Sequence, residues 1–250
     1  MAIYFASDFH LGLDATFTSK QREKIIIQWI DHISDDMTQL YILGDVFDFW
    51  FEYKNVVPKG HVRLLAKIAE LVDRGIPVHI FTGNHDMWMF GYLEEELNVI
   101  IYRKAQSLEL QNKKLFIGHG DGLGPGDKGY KIMKKIFSSK LNQWLFSKLH
   151  PDFAIRLMRY SSRKSRETDM EAMSFLGADK EWLILYAERK LESHYYDYFI
   201  FGHRHLPIDY TLSNNKSRYI NTGDWVTYYT YARMENGQLS LEKYDFSNEI

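Results

Sequence analysis

Five short clusters in this chain set carboxylates, imidazoles and one carboxamide beside glycines or at the start of a turn. In order they are Asp8-Phe9-His10, Gly44-Asp45-Val46-Phe47-Asp48, Gly83-Asn84-His85-Asp86, Gly118-His119-Gly120-Asp121 and Gly202-His203-Arg204-His205. These side chains bind divalent cations, and the chain has no cysteine, so any ion must be held by nitrogen and oxygen. Extended residues two apart face the same side, which lets Asp8 and His10 grip one ion together. Gly44 permits a sharp turn, after which the carboxylate of Asp45 can bridge two ions. Asn84 offers a neutral amide oxygen, suited to a site already rich in negative charge. Taken singly, each cluster reads as ordinary turn or surface polarity, with an Asx-turn as the plain account of Asn84. Five in a row, each behind an expected strand, point to a common site, because open α/β folds build their sites at the carboxyl ends of strands.

The elements that must position these groups can be read from hydrophobic pattern. Strands are expected at Ala2–Phe5, Gln39–Leu43 and Ile76–Phe81, with helices near Ser19–Ile33 and Gly60–Arg74 between them, a βαβαβ rhythm that predicts an α/β core with parallel strands. Short strands follow at Val99–Ile101, Ser107–Leu110 and Lys114–Ile117. Two or three helices are expected in Gly129–Ser165 and another over Lys180–Ser193. Five further strands, Tyr198–Phe201, Ile208–Leu212, Ser217–Asn221, Thr227–Met234 and Gln238–Tyr244, complete the chain, with Asn236-Gly237 as a hairpin turn. Trp29 and Trp182 are expected in the core.

Composition narrows the class. The 250 residues are 45% hydrophobic and 26% charged, which excludes a disordered, collagenous or coiled-coil chain and predicts one domain over 1–250. No apolar run is long enough to span a bilayer, and the N-terminus lacks a signal-peptide core, so the chain is expected to stay inside the cell. The net charge of −2 hides an asymmetry: Gly126 to Arg166 holds eleven basic residues against Asp127 and Asp152. A basic surface on an acidic body implies an anionic partner. Phe137, Trp144, Leu145, Phe146, Leu149 and Phe153 are interleaved with the cations, a composition that suits an anionic membrane surface. A solvated outer face is the plainer account of the same charges.

The ordered set Asp-x-His, Gly-Asp-x-x-Asp, Gly-Asn-His-Asp, Gly-His and Gly-His-x-His, from Asp8 to His205, resembles the calcineurin-like metallophosphoesterase superfamily. That resemblance implies a four-layer α-β-β-α sandwich with two metal ions at its rim. It implies that Asp8, His10, Asp45 and His205 hold one ion and that Asp45, Asn84, His119 and His203 hold the other, with Asp45 bridging. Within the superfamily, Gly44 to Trp50, His119-Gly120-Asp121 with Asp127 and Tyr130, the basic insertion and Gly223-Asp224-Trp225 look like the UDP-2,3-diacylglucosamine diphosphatases of lipid A biosynthesis. The likeness implies a helical lid at about 126–178 over the diacylated sugar, and cleavage of the pyrophosphate to UMP and 2,3-diacylglucosamine 1-phosphate. The chain departs from the better-known members in carrying His85 where they have arginine; histidine there is the general superfamily pattern.

Two ions ~3.5–4 Å apart suit such a reaction, since they lower the pKa of a water and neutralise charge on phosphoryl oxygens. Nitrogen, carboxylate and amide ligands fit Mn²⁺, Fe²⁺ or Zn²⁺, and the family preference is Mn²⁺. His85, outside the implied ligand set, is free to approach the phosphoryl group or the leaving oxygen, and the superfamily pattern implies that Asp48 orients it and favours its protonated form. The likeness implies substrate contacts from Asn84, His85, Asp127, Ser162, Arg163, Lys164, Arg166 and His203. The expected partners are a nucleotide-linked glycolipid and an anionic membrane surface, without nucleic acid, which places the protein in the cytoplasm, peripherally on the inner membrane. Two other readings are a phosphoesterase for a soluble nucleotide, such as a dinucleoside polyphosphate or cyclic nucleotide, and a non-catalytic scaffold or anionic-surface binder. An apolar chamber under the lid discriminates the first, because a soluble substrate needs none.

Overall fold

The computed structural model describes residues 1–124, 128–169, 174–175 and 177–247. Its strands are β1 (Ala2–Ala6), β2 (Met37–Ile42), β3 (Val78–Phe81), β4 (Ile100–Tyr102), β5 (Gln106–Leu110), β6 (Lys113–Ile117), β7 (Tyr198–Phe201), β8 (Pro207–Thr211), β9 (Arg218–Thr222), β10 (Thr230–Glu235) and β11 (Gln238–Lys243). The helices are α1 (Ser19–Ile33), α2 (Val62–Asp73), α3 (Tyr92–Leu97), α4 (Lys128–Phe137), α5 (Lys140–Phe146), α6 (Pro151–Asp169) and α7 (Trp182–Leu191). One sheet runs β11-β10-β1-β2-β3-β4, the other β5-β6-β7-β9-β8. β1, β2, β3 and β4 are parallel neighbours, and so are β6, β7 and β9.

Three apolar layers stack these elements. Ile26, Trp29 and Ile30 of α1 and Leu64 and Ile68 of α2 pack on Tyr4, Ala6, Leu40 and Ile42 of the first sheet. The opposite pleat of the same strands, Ile3, Phe5, Tyr41 and Phe81, meets Leu115, Ile117, Ile200 and Ile220 of the second sheet. Beyond it, Phe116, Phe199, Phe201 and Tyr219 receive Leu183, Ile184 and Ala187 of α7. Strands buried on both faces explain the nearly unbroken apolar runs of β1, β3 and β7. The order of layers is helix, sheet, sheet, helix, as expected. Burial of each large aliphatic side chain here stabilises the fold by ~1.5–3 kcal/mol.

Several local outcomes differ from the pattern reading, each for a physical reason. The tenth strand starts at Thr230 rather than Thr227, because the Asp224 side chain accepts the backbone N–H groups of Val226, Thr227 and Tyr228 and holds a turn there. The short helix α3 has no strong periodic signal; Glu52 fixes its start by accepting the N–H groups of Phe90, Gly91 and Tyr92. Trp29 is fully buried, whereas Trp182 is only half-buried at the start of α7, its Cβ closely apposed to Gly124. Asn236 and Gly237 both adopt positive φ, 51° and 75°, and close the β10–β11 hairpin as the sequence predicts.

The basic stretch forms the three helices α4 to α6. Trp88 donates its indole N–H to the Phe137 carbonyl at 2.9 Å, and Phe49, Phe51 and Trp88 pack against Phe137, Phe146, Ile155 and Met158. Among the described residues, no helix is long and apolar enough to cross a membrane.

Candidate metal centre

Parallel strands end at the same edge of a sheet, so the loops after β1, β2 and β3 emerge together, as do those after β6, β7 and β9. Stacking the two sheets brings both sets of loops to one place. Asp8 and His10 follow β1, Asp45 and Asp48 follow β2, Asn84 and His85 follow β3, His119 follows β6, and His203 and His205 follow β7. Five of these residues lie in the left-handed backbone region: Asp8 (φ 57°), His10 (44°), Asp45 (51°), His203 (67°) and His205 (55°). Strained backbone of this kind is stored where surrounding structure over-determines it, and here it turns five side chains inward.

Three sets of side chains offer ligand atoms within 4.8 Å of one another: Asp8, His10 and His205; Asp8, Asp45 and His119; and His10, Asp45 and His85. His205 Nε2 lies 3.4 Å from Asp8 Oδ1 and 3.3 Å from His10 Nε2. Asp8 Oδ2 accepts the Ser7 hydroxyl and, at 3.0 Å, the backbone N–H of His203. Asp8 Oδ1 is buried with no hydrogen-bond partner, as a carboxylate oxygen kept for a cation would be.

Asp45 is divided in the same way. Its Oδ1 accepts the His85 N–H at 2.9 Å, while Oδ2 lies 3.7 Å from His10 Nε2 and 3.4 Å from His119 Nε2. One oxygen therefore faces both imidazoles. Asn84 Oδ1 lies 3.0 Å from His119 Nε2, and the ring of His203 stands 5.0 Å from that of His119. His119 Nδ1–H donates to the Leu43 carbonyl at 2.8 Å, which turns Nε2 to the site. The glycines allow this crowding: a Cβ on Gly44, at φ 95°, would sit 2.6 Å from His119 Nδ1, and one on Gly83 would collide with the Asp45 carboxylate.

The field at the site is strongly negative. Burial alone would raise the Asp45 pKa, but His119, His85 and His10 hold it well below the usual carboxylate range. Asp8 is likewise driven to about 2, against burial, chiefly by His205 and His10. Burial works against a charged His119, yet Asp45 and Asp8 push it up to about 10. A divalent cation satisfies the same field, and the orphaned Asp8 oxygen and the imidazole, carboxylate and amide donors fit one.

His85 does not join these ligands in one respect. Its Nδ1 lies 3.1 Å from the main-chain carbonyl of Asp48, 3.3 Å from Ser162 Oγ and 3.8 Å from the Asp48 carboxylate. Asp48 thus orients the ring through its carbonyl. Burial, more than any charge nearby, lowers the His85 pKa to about 4. His85 also sits within ligand reach of His10 and Asp45, which the sequence reading did not foresee.

Of the expected substrate contacts, Ser162 on α6 reaches the site, bonding Asp48 Oδ1 at 3.2 Å. Arg163, Lys164 and Arg166 fall on the end of α6, where only the backbone is described, and Asp127 lies outside the described residues. A cleft opens beside the centre. Asp48, Asn84, His85 and Ser162 line its polar end; Phe49, Trp88, Phe137 and Met158 line its apolar wall. Sequence reasoning missed two groups that hold the ligand loops, Arg22 and the carboxylate of Asp224. Arg22 carried no signal beyond a charge on a helix, whereas Asp224 stood in a conspicuous Gly-Asp-Trp triplet.

The family model for calcineurin-like phosphoesterases matches residues 1–207. A UDP-2,3-diacylglucosamine hydrolase of Porphyromonas gingivalis is 35% identical over 253 residues, covering 96% of this chain and 96% of that protein. One from Aeromonas salmonicida is 24% identical, covering 97% of this chain and 93% of that protein. Among solved structures, an archaeal phosphodiesterase aligns with a TM-score of 0.49 at 15% identity, over 97% of this chain and 99% of its own. With the family model spanning most of the sequence, this chain belongs to the calcineurin-like phosphoesterases.

Proposed function

We propose that the protein is a metal-dependent hydrolase that cleaves the pyrophosphate of UDP-2,3-diacylglucosamine to UMP and 2,3-diacylglucosamine 1-phosphate. The observation that carries this reading is the continuity between the carboxylate and imidazole cluster and the apolar cavity walled by Trp88, Phe137 and Met158. The naming of relatives of similar length as UDP-2,3-diacylglucosamine hydrolases supports it.

Asp8, His10, Asp45 and His205 would hold one divalent ion, and Asp45, Asn84, His119 and His203 the other, with Mn²⁺ the preferred metal. Such ions supply Lewis acidity and an activated water. Asn84, His85 and His203 meet the phosphoryl oxygens, and Ser162 approaches them from α6. His85 is neutral by burial, and the negative charge of a bound pyrophosphate raises its pKa, so that it takes up a proton and delivers it to the leaving oxygen. Asp48 keeps the ring in place through the carbonyl on Nδ1. Asp127, Arg163, Lys164 and Arg166 are further substrate contacts in this reading.

The helices α4 to α6 act as the lid. They expose Trp144, Leu145 and Phe153 as well as Lys135, Lys140 and Lys148, with Lys148 Nζ 5.1 Å from the Trp144 ring. That combination suits docking to the anionic cytoplasmic leaflet of the inner membrane. Lys134 has another role, because it pairs with Asp121, to which Tyr130 also donates.

The test is a comparison of UDP-diacylglucosamine with its deacylated analogue. Burying only four methylenes at ~0.8 kcal/mol each makes ~3 kcal/mol, about 10²-fold in kcat/KM. Equal kcat/KM for the two substrates would contradict the lipid reading and favour a soluble nucleotide.

A further inference from the structure

Asp224 is 1% exposed and follows β9 in the triplet Gly223-Asp224-Trp225. Its two carboxylate oxygens have separate tasks. Oδ1 accepts the backbone N–H groups of Thr227 at 2.7 Å, Tyr228 at 3.0 Å and Val226 at 3.3 Å. Oδ2 is thereby aimed the other way, 3.1 Å from His205 Nδ1. A carboxylate acceptor puts the imidazole proton on Nδ1 and leaves the Nε2 lone pair toward Asp8 Oδ1 and His10 Nε2. The next residue completes the hold, since Trp225 N–H donates to the Asp8 carbonyl at 3.2 Å. One turn after β9 thus fixes two candidate ligands carried by two other strands.

The other half of the centre is backed differently. His119 Nδ1 is hydrogen-bonded to a neutral carbonyl, that of Leu43, and Asn84 is a neutral donor; the buried Asp121 carboxylate acts on His119 and His203 by its charge, not by a hydrogen bond. In the first half a carboxylate is bonded behind one imidazole, Asp224 Oδ2 at 3.1 Å from His205 Nδ1, while His10 Nδ1 has no hydrogen-bond partner and Asp48 Oδ1 lies 3.8 Å from it. A carboxylate behind an imidazole makes the facing nitrogen a stronger donor than a carbonyl does.

We propose that Asp224 is a positioning residue that fixes His205 as an Nε2 ligand and makes the Asp8, His10 and His205 site the tighter of two unequal metal sites. The proposal rests on the dinuclear reading given above. The first Mn²⁺ equivalent fills this site, and the second fills the site of Asn84, His119 and His203. Removing a backing partner of this kind weakens metal affinity by ~10–100-fold.

The experiment is calorimetric titration of the metal-stripped protein with Mn²⁺, comparing wild type with Asp224→Asn. The three backbone donors keep the asparagine oxygen in place, so its NH₂ faces His205 and forces the ring proton onto Nε2. Wild type should show two unequal sites. Asp224→Asn should lose ~10–100-fold at the tight site alone, and the metal-free protein should melt as wild type does. His205→Ala should weaken the same site, with no further loss when Asp224→Asn is added. An unchanged tight site, equal weakening of both sites, additive losses, or a melting temperature lowered as far as in Asp224→Ala would each overturn the proposal. Wild type binding two equal ions would overturn it while sparing the dinuclear reading; fewer than two ions would remove both.

Discussion

Replacing Arg22 by methionine should both destabilise the protein and loosen the Asp8 and His10 loop. Arg22 lies on α1, 1% exposed, and donates to four backbone carbonyls of the loop after β1: Phe9 at 2.9 Å, His10 at 2.7 Å, Leu13 at 2.5 Å and Phe17 at 3.3 Å. Methionine keeps the apolar stem and removes every donor. The bonds to Phe9 and His10 are fully buried, and each orphaned acceptor costs ~1–3 kcal/mol; the other two are partly reached by water and cost ~0.5 kcal/mol each. The sum, ~3–5 kcal/mol after partial relaxation, corresponds to a fall in melting temperature of roughly 6–20 °C for a chain of this size. Circular dichroism melting of the metal-free protein measures it. Because the released carbonyls flank left-handed Asp8 and His10, Mn²⁺ affinity at their site should fall as well, and Arg22→Lys should recover part of both losses. A methionine variant melting within 2 °C of wild type, by the same ~2–4 °C per kcal/mol scale, would refute the claim that these carbonyls depend on Arg22.

Three further outcomes follow from the geometry. His85→Ala should lower kcat on the lipid substrate by ~10²–10⁴-fold with Mn²⁺ content intact; loss of an ion equivalent in metal analysis would make His85 a ligand instead. Reversing Lys135, Lys140 and Lys148 to glutamate should weaken sedimentation with anionic vesicles by ~10²-fold or more at low salt, at ~1 kcal/mol per lost cation; unchanged sedimentation would exclude this face as the docking surface. Burial of Asp36 opposes its ionisation, but hydrogen bonds from Tyr4 and Arg233 hold its pKa below the ordinary range. A folded value below the unfolded one means that this stabilisation is complete above about pH 4 and is lost as pH falls through the folded value. Asp36→Asn should therefore flatten the acid limb of melting temperature against pH, and an unchanged limb would contradict it.

The ligand clusters were legible because metal binding demands particular residue types, and parallel strands deliver their ends to one edge. Pattern alone therefore brought Asp8, Asp45, Asn84, His119 and His205 to one place. What braces them was not legible. Arg22 reads as an ordinary helix charge until the β1 loop folds back over it, and Asp224 acts on His205 and Asp8, residues remote in sequence. Charge counting likewise treated Lys134 as a surface cation, although Asp121 engages it. The turn at 225–228 overrode a β-rich sequence because one buried carboxylate satisfies three of its N–H groups. Periodicity reports which face is apolar, while these features depend on where loops from different strands meet.

The most direct measurement is ³¹P NMR of UDP-2,3-diacylglucosamine incubated with the Mn²⁺-loaded protein, with and without chelator. The account predicts loss of both pyrophosphate resonances and equal growth of two phosphomonoesters, UMP and diacylglucosamine 1-phosphate, abolished by chelator. Release of intact UDP, or the same turnover in chelator, would contradict it.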